Sequence, residues 1–173
     1  MWPLSIVFVI AMFFAHFMAG VSAKEQHVQD MRLRENTATM FRSYDAAGAA
    51  MLAAAPALTG AIDRARMAQA LSDLHMGWVG VDGWCDGGAG AGKCRWGALA
   101  DDGQFYVYRK DPGEGVLLNG VYHDLLVWTS GPDQMGFKSG SKLLDAGGAP
   151  ILGKILPASV QRAVPDGSLI KIL

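Results

Sequence analysis

The first 23 residues of this chain contain no Asp, Glu, Lys or Arg. The run from Trp2 to Ala23 is apolar apart from His16 and two serines, and a charged and polar stretch follows it from Lys24 onward. A helix of about 20 apolar residues matches the roughly 30 Å hydrocarbon core of a bilayer. Residues 1–23 therefore predict a transmembrane anchor, with the rest of the chain on one side of the membrane.

The same segment has a second interpretation, as a secretory signal peptide that is removed. Leu4 to Met18 would serve as its apolar region, and Val21-Ser22-Ala23 is a small-residue cleavage site. The absence of Lys and Arg before the apolar run disfavours a signal peptide, whereas Trp2 and Pro3 suit the start of an anchor. The anchor is the favoured prediction, and cleavage stays open as the alternative.

Charges and cysteines predict different sides of the membrane for the remaining domain. Lys24, Arg32 and Arg34 follow the apolar segment, so positive-inside counting would place them in the cytoplasm. Cys85 and Cys94 are the only cysteines and enclose the sequence DGGAGAGK. We expect a Gly-rich hairpin at 85–94 that a disulfide closes in an oxidising compartment such as the periplasm, with two free thiols as the alternative. The spacing of Cys85 and Cys94 matches neither a zinc site nor a CxxC redox motif.

The chain beyond the apolar segment is long enough for one domain with its own core, and the net charge of −1 offers no electrostatic footprint for nucleic acid.

Residues 24–57 predict a long helix or stalk that ends near Pro56 and buries a Met and aromatic stripe including Phe41 and Tyr44. Residues 63–75 predict a second, shorter helix. Residues 115–128 favour a short amphipathic helix that lies on the sheet, with a pair of strands as the alternative. The predicted strands lie at 78–85, 94–100, 104–109, 135–137, 141–144 and 168–173, with a short extended piece before Ile62.

These elements predict an α+β fold in a pilin-like arrangement. A transmembrane helix (1–23) would continue into a long amphipathic helix (24–57) that packs on one side of an antiparallel sheet. The domain over 58–173 would carry the sheet and the disulfide hairpin.

No motif for catalysis is present in the sequence: it contains no GxSxG, HExxH or Walker sequence. His27, His75 and His123 are scattered, and the adjacent His123 and Asp124 would face different directions on a helix. We therefore predict no catalytic, cofactor-binding or metal site, and no enzyme.

Aromatic side chains are concentrated in one stretch of the predicted meander. Trp78, Trp84, Trp96, Tyr106 and Tyr108 alternate with other residues, so some must enter the core. Any that lie on the outer face would form a partner-binding patch, because exposed Trp and Tyr are typical interface anchors.

The order of these features resembles the PilM family of conjugative type IVB thin-pilus systems. The carrying residues are the N-terminal apolar segment, FRSYDAAGAAMLAAAPALTGAI (41–62), GQFYVY (103–108), LLVWTSG (125–131) and the closing LP…VPDGSLIKI. The resemblance implies a bitopic protein of the bacterial inner membrane, with a periplasmic domain that serves pilus assembly or pilin transport during mating. It implies no catalytic residues.

The partners that the resemblance suggests are the polytopic platform protein, the secretin or the pilin. Two other functions stay open from the sequence. One is a minor-pilin-like or secretion accessory protein, and the other is a periplasmic hydrolase.

Overall fold

The computed structural model describes residues 2–86, 94–110, 115–127 and 134–173. Its helices are α1 (Trp2–Ala54), α2 (Arg64–Asp73), α3 (Gly115–Leu126) and α4 (Ala158–Ala163). Its strands are β1 (Gly60–Ile62), β2 (Trp96–Asp101), β3 (Gln104–Arg109), β4 (Met135–Ser139), β5 (Lys142–Leu144), β6 (Pro150–Ile155) and β7 (Leu169–Ile172).

Helix α1 runs through 53 residues without a break. Alanine, the residue with the highest helix propensity, is frequent in its last three turns. The helix ends just before Pro56, which lacks an N–H and cannot continue it. The predicted long helix and its end near Pro56 are confirmed, and the same helix also includes the apolar segment.

The strands form one seven-stranded antiparallel sheet in the order β1-β2-β3-β7-β4-β5-β6. A two-residue turn joins β2 to β3, with Asp101 paired to Gln104. Asp102 and Gly103 both have positive φ, at 47° and 73°, as a type I′ hairpin turn requires. The C-terminal strand β7 lies in the middle of the sheet, so the end of the chain is fixed between β3 and β4. The α+β class with a long helix and an antiparallel sheet is confirmed.

Both faces of the sheet are covered, because successive side chains of a strand point to opposite faces. On one face, Ala98 and Val107 pack with α1, α2 and α3 in the larger core. On the other face, Leu99 and Tyr106 pack in a smaller core with α4. The long helix α1 therefore lies on one side of the sheet, as the sequence predicts, and α4, which the sequence prediction omits, lies on the other. Helix α4 is only six residues long, too short for its periodicity to be read from the sequence.

The strand predicted over 78–85 is wrong. This stretch consists of turns, and only Trp84 makes a single bridge to Trp96. The short strand β1 instead occupies that edge of β2, with Gly60 opposite Ala100 and Ile62 opposite Ala98. The sequence prediction also omits β6.

Within the part of the chain that the structure describes, no helix meets the combined requirements of length and hydropathy for a membrane-spanning segment.

Candidate docking surfaces

A cluster of buried rings joins α1 to the sheet. Trp96 on β2 contacts Phe41 and Tyr44 of α1 edge to face, with ring centroids 4.8 and 5.1 Å apart. Tyr44 also contacts Trp84, at 5.1 Å. The indole N–H of Trp84 donates to the carbonyl of Ile62 at 2.8 Å, so burial leaves this donor satisfied. The cluster fixes the position of α1 on the sheet.

Arg109 places a positive charge inside this cluster. Its guanidinium carbon lies 5.2 Å from the centroid of the Trp96 ring, within the range of a cation–π contact. Its Nη1 donates to the hydroxyl of Thr37 on α1 at 2.8 Å. That hydroxyl in turn donates to the carbonyl of Leu33, 2.7 Å away. The buried charge is thereby tied to the same helix that the rings hold.

Of the five aromatic residues predicted as candidate partner contacts, four are buried. Trp84 and Trp96 belong to the larger core, and Tyr106 and Tyr108 belong to the smaller core on the opposite face. Burial raises the pKa of Tyr108 to about 12. Only Trp78 is exposed among the five, with 72% of its surface accessible. A partner-binding role for these aromatics is therefore confined to Trp78, because the other four already pack against the core.

Trp78 lies in the connection from α2 to Trp84, and we call residues 76–83 the Trp78 loop. The loop is attached to α1 at its centre, since the Tyr44 hydroxyl donates to the carbonyl of Gly80 at 2.6 Å. Val79 is buried beside it. At the start of the loop, the Met76 N–H donates to the carbonyl of Leu71 on α2 at 2.7 Å. Burial raises the pKa of Tyr44 to about 12, so its hydroxyl stays a donor at neutral pH.

The end of the Trp78 loop is attached to the sheet. Gly83 adopts a φ of 73°, which only glycine adopts without strain, and its carbonyl accepts from the N–H groups of Arg95 and Trp96 at 2.7 and 3.0 Å. Arg64 pairs with Asp82 at 3.1 Å, although both groups are too exposed for this pair to contribute much. The loop therefore presents Trp78 on a fixed backbone, which lowers the entropy cost of binding a partner there.

The predicted disulfide between Cys85 and Cys94 is present, with the two Cα atoms 5.0 Å apart. The N–H of Cys85 donates to the carbonyl of Trp96 at 2.7 Å, so the bridge continues the attachment of the Trp78 loop to β2. The Lys110 ammonium donates to Cys94 Sγ at 3.0 Å, and burial lowers the pKa of this lysine. The Gly-rich tip predicted between the cysteines lies, for residues 87–93, outside the described part of the chain.

The N-terminal part of α1 is a second candidate surface. Every residue from 24 to 33 is exposed, and the next residue, Arg34, is partly buried and pairs with Asp124 of α3 at 2.9 Å. Before that point the helix carries large apolar side chains that are exposed in the described part of the chain. These are Phe8, Val9, Ile10, Met12, Phe13, Phe14, Phe17, Met18 and Val21, followed by Val28, Met31 and Leu33. A contiguous apolar surface of this extent is typical of a membrane or protein interaction site.

A groove of about 410 Å³ between α1, α3 and β7 contains an ion pair of Asp45 with Lys171. Both side chains are largely buried. Burial lowers the pKa of Lys171 to about 8. Removing one partner would leave the other charge buried alone, so the pair ties β7 to α1.

The three histidines beyond the apolar segment lie in three different parts of the fold. His27 is on the exposed stretch of α1, His75 follows α2 with a φ of 58°, and His123 is exposed on α3. Asp124 pairs with Arg34, at 2.9 Å. Across the described ranges, the structure contains no group of three or more His, Cys, Asp or Glu side chains placed to hold a metal ion.

Comparison with known proteins finds a distant likeness in structure but none in sequence. No protein-family model and no curated protein matches this chain. The chain is similar to the crystal structure of a protein PilM from Escherichia coli B7A, with 19% identity and a TM-score of 0.46. The match covers 84% of this chain and 94% of that one. An identity and a TM-score this low are too weak to carry a structural argument.

Proposed function

We propose that this protein is a non-catalytic component of a type IV pilus assembly apparatus, of the conjugative thin-pilus kind. Its first 23 residues would anchor it in the bacterial inner membrane, and its α+β domain would lie in the periplasm. The domain would dock another subunit of the machine, whether the platform protein, the secretin or the pilin. The pilus assignment rests on the order of sequence features shared with the PilM family.

The observation that carries the proposal is the division of α1 into two parts. From Arg34 onward the helix buries side chains in the domain, whereas residues 24–33 and the large apolar side chains before them are exposed. An apolar helix that water surrounds is costly at about 25 cal/mol per Å² of exposed apolar area. Insertion of that part into a bilayer removes this cost while the domain stays in water.

The disulfide supports the periplasmic orientation over the cytoplasmic one that the charges favour. Such bonds persist in the periplasm and are rare in the cytoplasm, where thiols are kept reduced. Cys85 is continuous with the attached end of the Trp78 loop. An oxidising compartment would therefore also preserve the proposed docking surface.

Trp78 is the residue that we propose as the anchor of the docking contact. Exposed Trp residues on rigid backbone are frequent interface hot spots, and truncating one costs about 2 kcal/mol or more of binding. Leu152 on β6 offers a matched control, because it is 93% exposed and lies at the other end of the sheet.

The test is an in-frame deletion of the gene in its host, complemented with wild type, Trp78→Ala or Leu152→Ala. Thin pili are scored by electron microscopy and mating is scored in liquid. We expect the deletion and Trp78→Ala to lose both pili and mating, and wild type and Leu152→Ala to restore them. Pili and mating that survive the deletion would refute the pilus function. Full activity of Trp78→Ala alone would refute only the docking role of the loop.

Cell fractionation of the complemented strains tests the anchor separately. Intact mass spectrometry of the membrane-bound protein should find residues 1–23 still attached. A mature chain that begins at Lys24 in the soluble periplasmic fraction would instead identify the segment as a signal peptide.

A further inference from the structure

We propose that Cys94, beside Lys110, is the cysteine that engages a thiol–disulfide oxidase when the bridge is formed, and that Cys85 closes the bridge in a second step. The partner is thus a protein that carries an exchangeable disulfide. This inference does not depend on the pilus function.

Lys110 is placed beside Cys94 by the sheet and not by the bridge itself. Trp96 on β2 is opposite Arg109 on β3, and the Lys110 N–H extends this ladder by donating to the Arg95 carbonyl at 2.8 Å. The ladder therefore brings residue 110 next to residue 94 before any bond joins the two sulfurs. The ammonium lies 3.0 Å from Cys94 Sγ. A neighbouring cation stabilises a thiolate, the form that attacks a disulfide.

Cys85 has the opposite environment. It is only 2% exposed, and both Trp84, which precedes it, and Trp96, whose carbonyl accepts from its N–H, are buried as well. Burial in apolar surroundings favours the neutral thiol over the thiolate and blocks a protein-sized reagent. Cys94 is partly exposed, so the two cysteines differ both in charge stabilisation and in access.

The reaction proceeds in two balanced exchanges. The Cys94 thiolate attacks one sulfur of the oxidase disulfide, forming a mixed disulfide and releasing the other oxidase sulfur as a thiolate. The Cys85 thiol then loses its proton and attacks Cys94 Sγ, which releases the second oxidase thiolate. The oxidase disulfide is reduced to a dithiol, and two thiols of this chain are oxidised to the Cys85–Cys94 bridge.

Closure of the bridge completes the attachment of the Trp78 loop. Cys85 follows Trp84, whose indole is already bonded to Ile62, and its backbone is bonded to Trp96. Cys85 is therefore held in place by the core, as a resolving thiol should be, while Cys94 lies at the surface.

The test uses the full chain in detergent micelles, reduced, as the single variants Cys85→Ser and Cys94→Ser. Each is mixed with oxidised glutathione, and the mixed disulfide is followed by mass spectrometry. Cys94 in the Cys85→Ser variant should react at least about tenfold faster at pH 7 than Cys85 in the Cys94→Ser variant. In urea the two rates should become equal. Equal rates in the folded protein, or faster reaction at Cys85, would overturn the proposal.

The role of Lys110 is tested in the Cys85→Ser background by the pH dependence of the same reaction. Lys110→Met should move the midpoint of the curve of reaction rate against pH upward by about one pH unit. At pH 7 it should slow the reaction about threefold, because the lost thiolate is partly offset by higher nucleophilicity. Lys110→Arg should retain the original midpoint, and Lys142→Met, on β5, is the charge-loss control. Unchanged midpoints in a folded Lys110→Met protein would rule out activation by this lysine.

Discussion

The two halves of α1 have the same secondary structure and opposite surroundings. Before Arg34 the helix exposes its apolar side chains, and Phe13 is 71% accessible. After that point it buries them, and Phe41 is 0% accessible among the rings of Tyr44 and Trp96. Hydrophobicity alone therefore does not identify core. A side chain is core only where another element supplies a complementary surface.

The largest expected effect comes from removing the exposed half. If the proposed anchor is correct, a chain that begins at Lys24 should leave the membrane fraction and become at least about tenfold enriched in the soluble fraction, because the apolar segment is gone. Its thermal midpoint should stay within about 2 °C of the full chain, since the large apolar side chains that the truncation removes, such as Phe13 and Phe17, are exposed. Fractionation and circular dichroism measure the two quantities. A truncated chain that stays with the membrane would show that the domain itself binds there.

The same substitution in each half separates core from exposed helix. Phe41→Ala should lower the free energy of unfolding by about 3–5 kcal/mol, because it empties a ring site against Trp96. Phe13→Ala should change it by less than about 0.5 kcal/mol. Urea denaturation of both variants in the same detergent measures the difference. Similar losses would mean that the exposed half also packs on the domain.

Two glycines of α1 give a finer version of the same comparison. A Cβ at Gly48 would lie 2.4 Å from the Phe105 ring, whereas a Cβ at Gly20 would meet nothing within 4 Å. Gly48→Ala should cost about 1–3 kcal/mol of overpacking, reduced by about 1 kcal/mol of helix propensity. Gly20→Ala should be neutral or stabilising. Thermal unfolding of the pair tests this, and a stabilised Gly48→Ala would show that the ring moves aside freely.

The smallest effect concerns the hydroxyl that attaches α1 to the Trp78 loop. Tyr44→Phe should cost about 1 kcal/mol at pH 7, since it loses the bond to the Gly80 carbonyl. The folded pKa of Tyr44 is about 12, above the ordinary value of 10.0, so its stabilisation is complete below pH 10 and lost as the pH rises through 12. The advantage of wild type over Tyr44→Phe should therefore fall between pH 10 and 12, by at most about 1.4 kcal/mol per pH unit, and reverse in sign at that slope. Urea titrations of both proteins at several alkaline pH values measure this difference in stability. A difference that stays constant with pH would contradict the raised pKa of Tyr44.

Sequence patterns predicted the structure correctly where the structure depends on neighbouring residues. The alternation of QFYVYR predicts β3, and Pro56 predicts the end of α1. They failed for residues 78–85, whose alternation also suits a strand, because the pairing edge of β2 is taken by β1. No local pattern indicates which distant segment reaches an edge first.

The aromatic residues predicted as a docking surface show the same limit of local sequence patterns. Five aromatic residues in one stretch suggested a patch, but alternation cannot tell which of the two faces of a sheet is covered. Helix α4, which has no readable periodicity, covers Tyr106 and Tyr108, while α1 covers Trp84 and Trp96. Trp78 stays exposed because it lies in the loop between elements.

Local sequence is enough to predict the apolar segment, the long helix, the main strands and the cysteine pair, since each depends on residues close together in the chain. The packing of distant segments sets where α1 becomes buried, which of the five aromatic residues stays exposed and that Lys110 meets Cys94. Those outcomes depend on surfaces contributed by distant parts of the chain. Whether a side chain is buried or lies near a charge depends on two segments that meet, so the sequence of one segment alone does not show it.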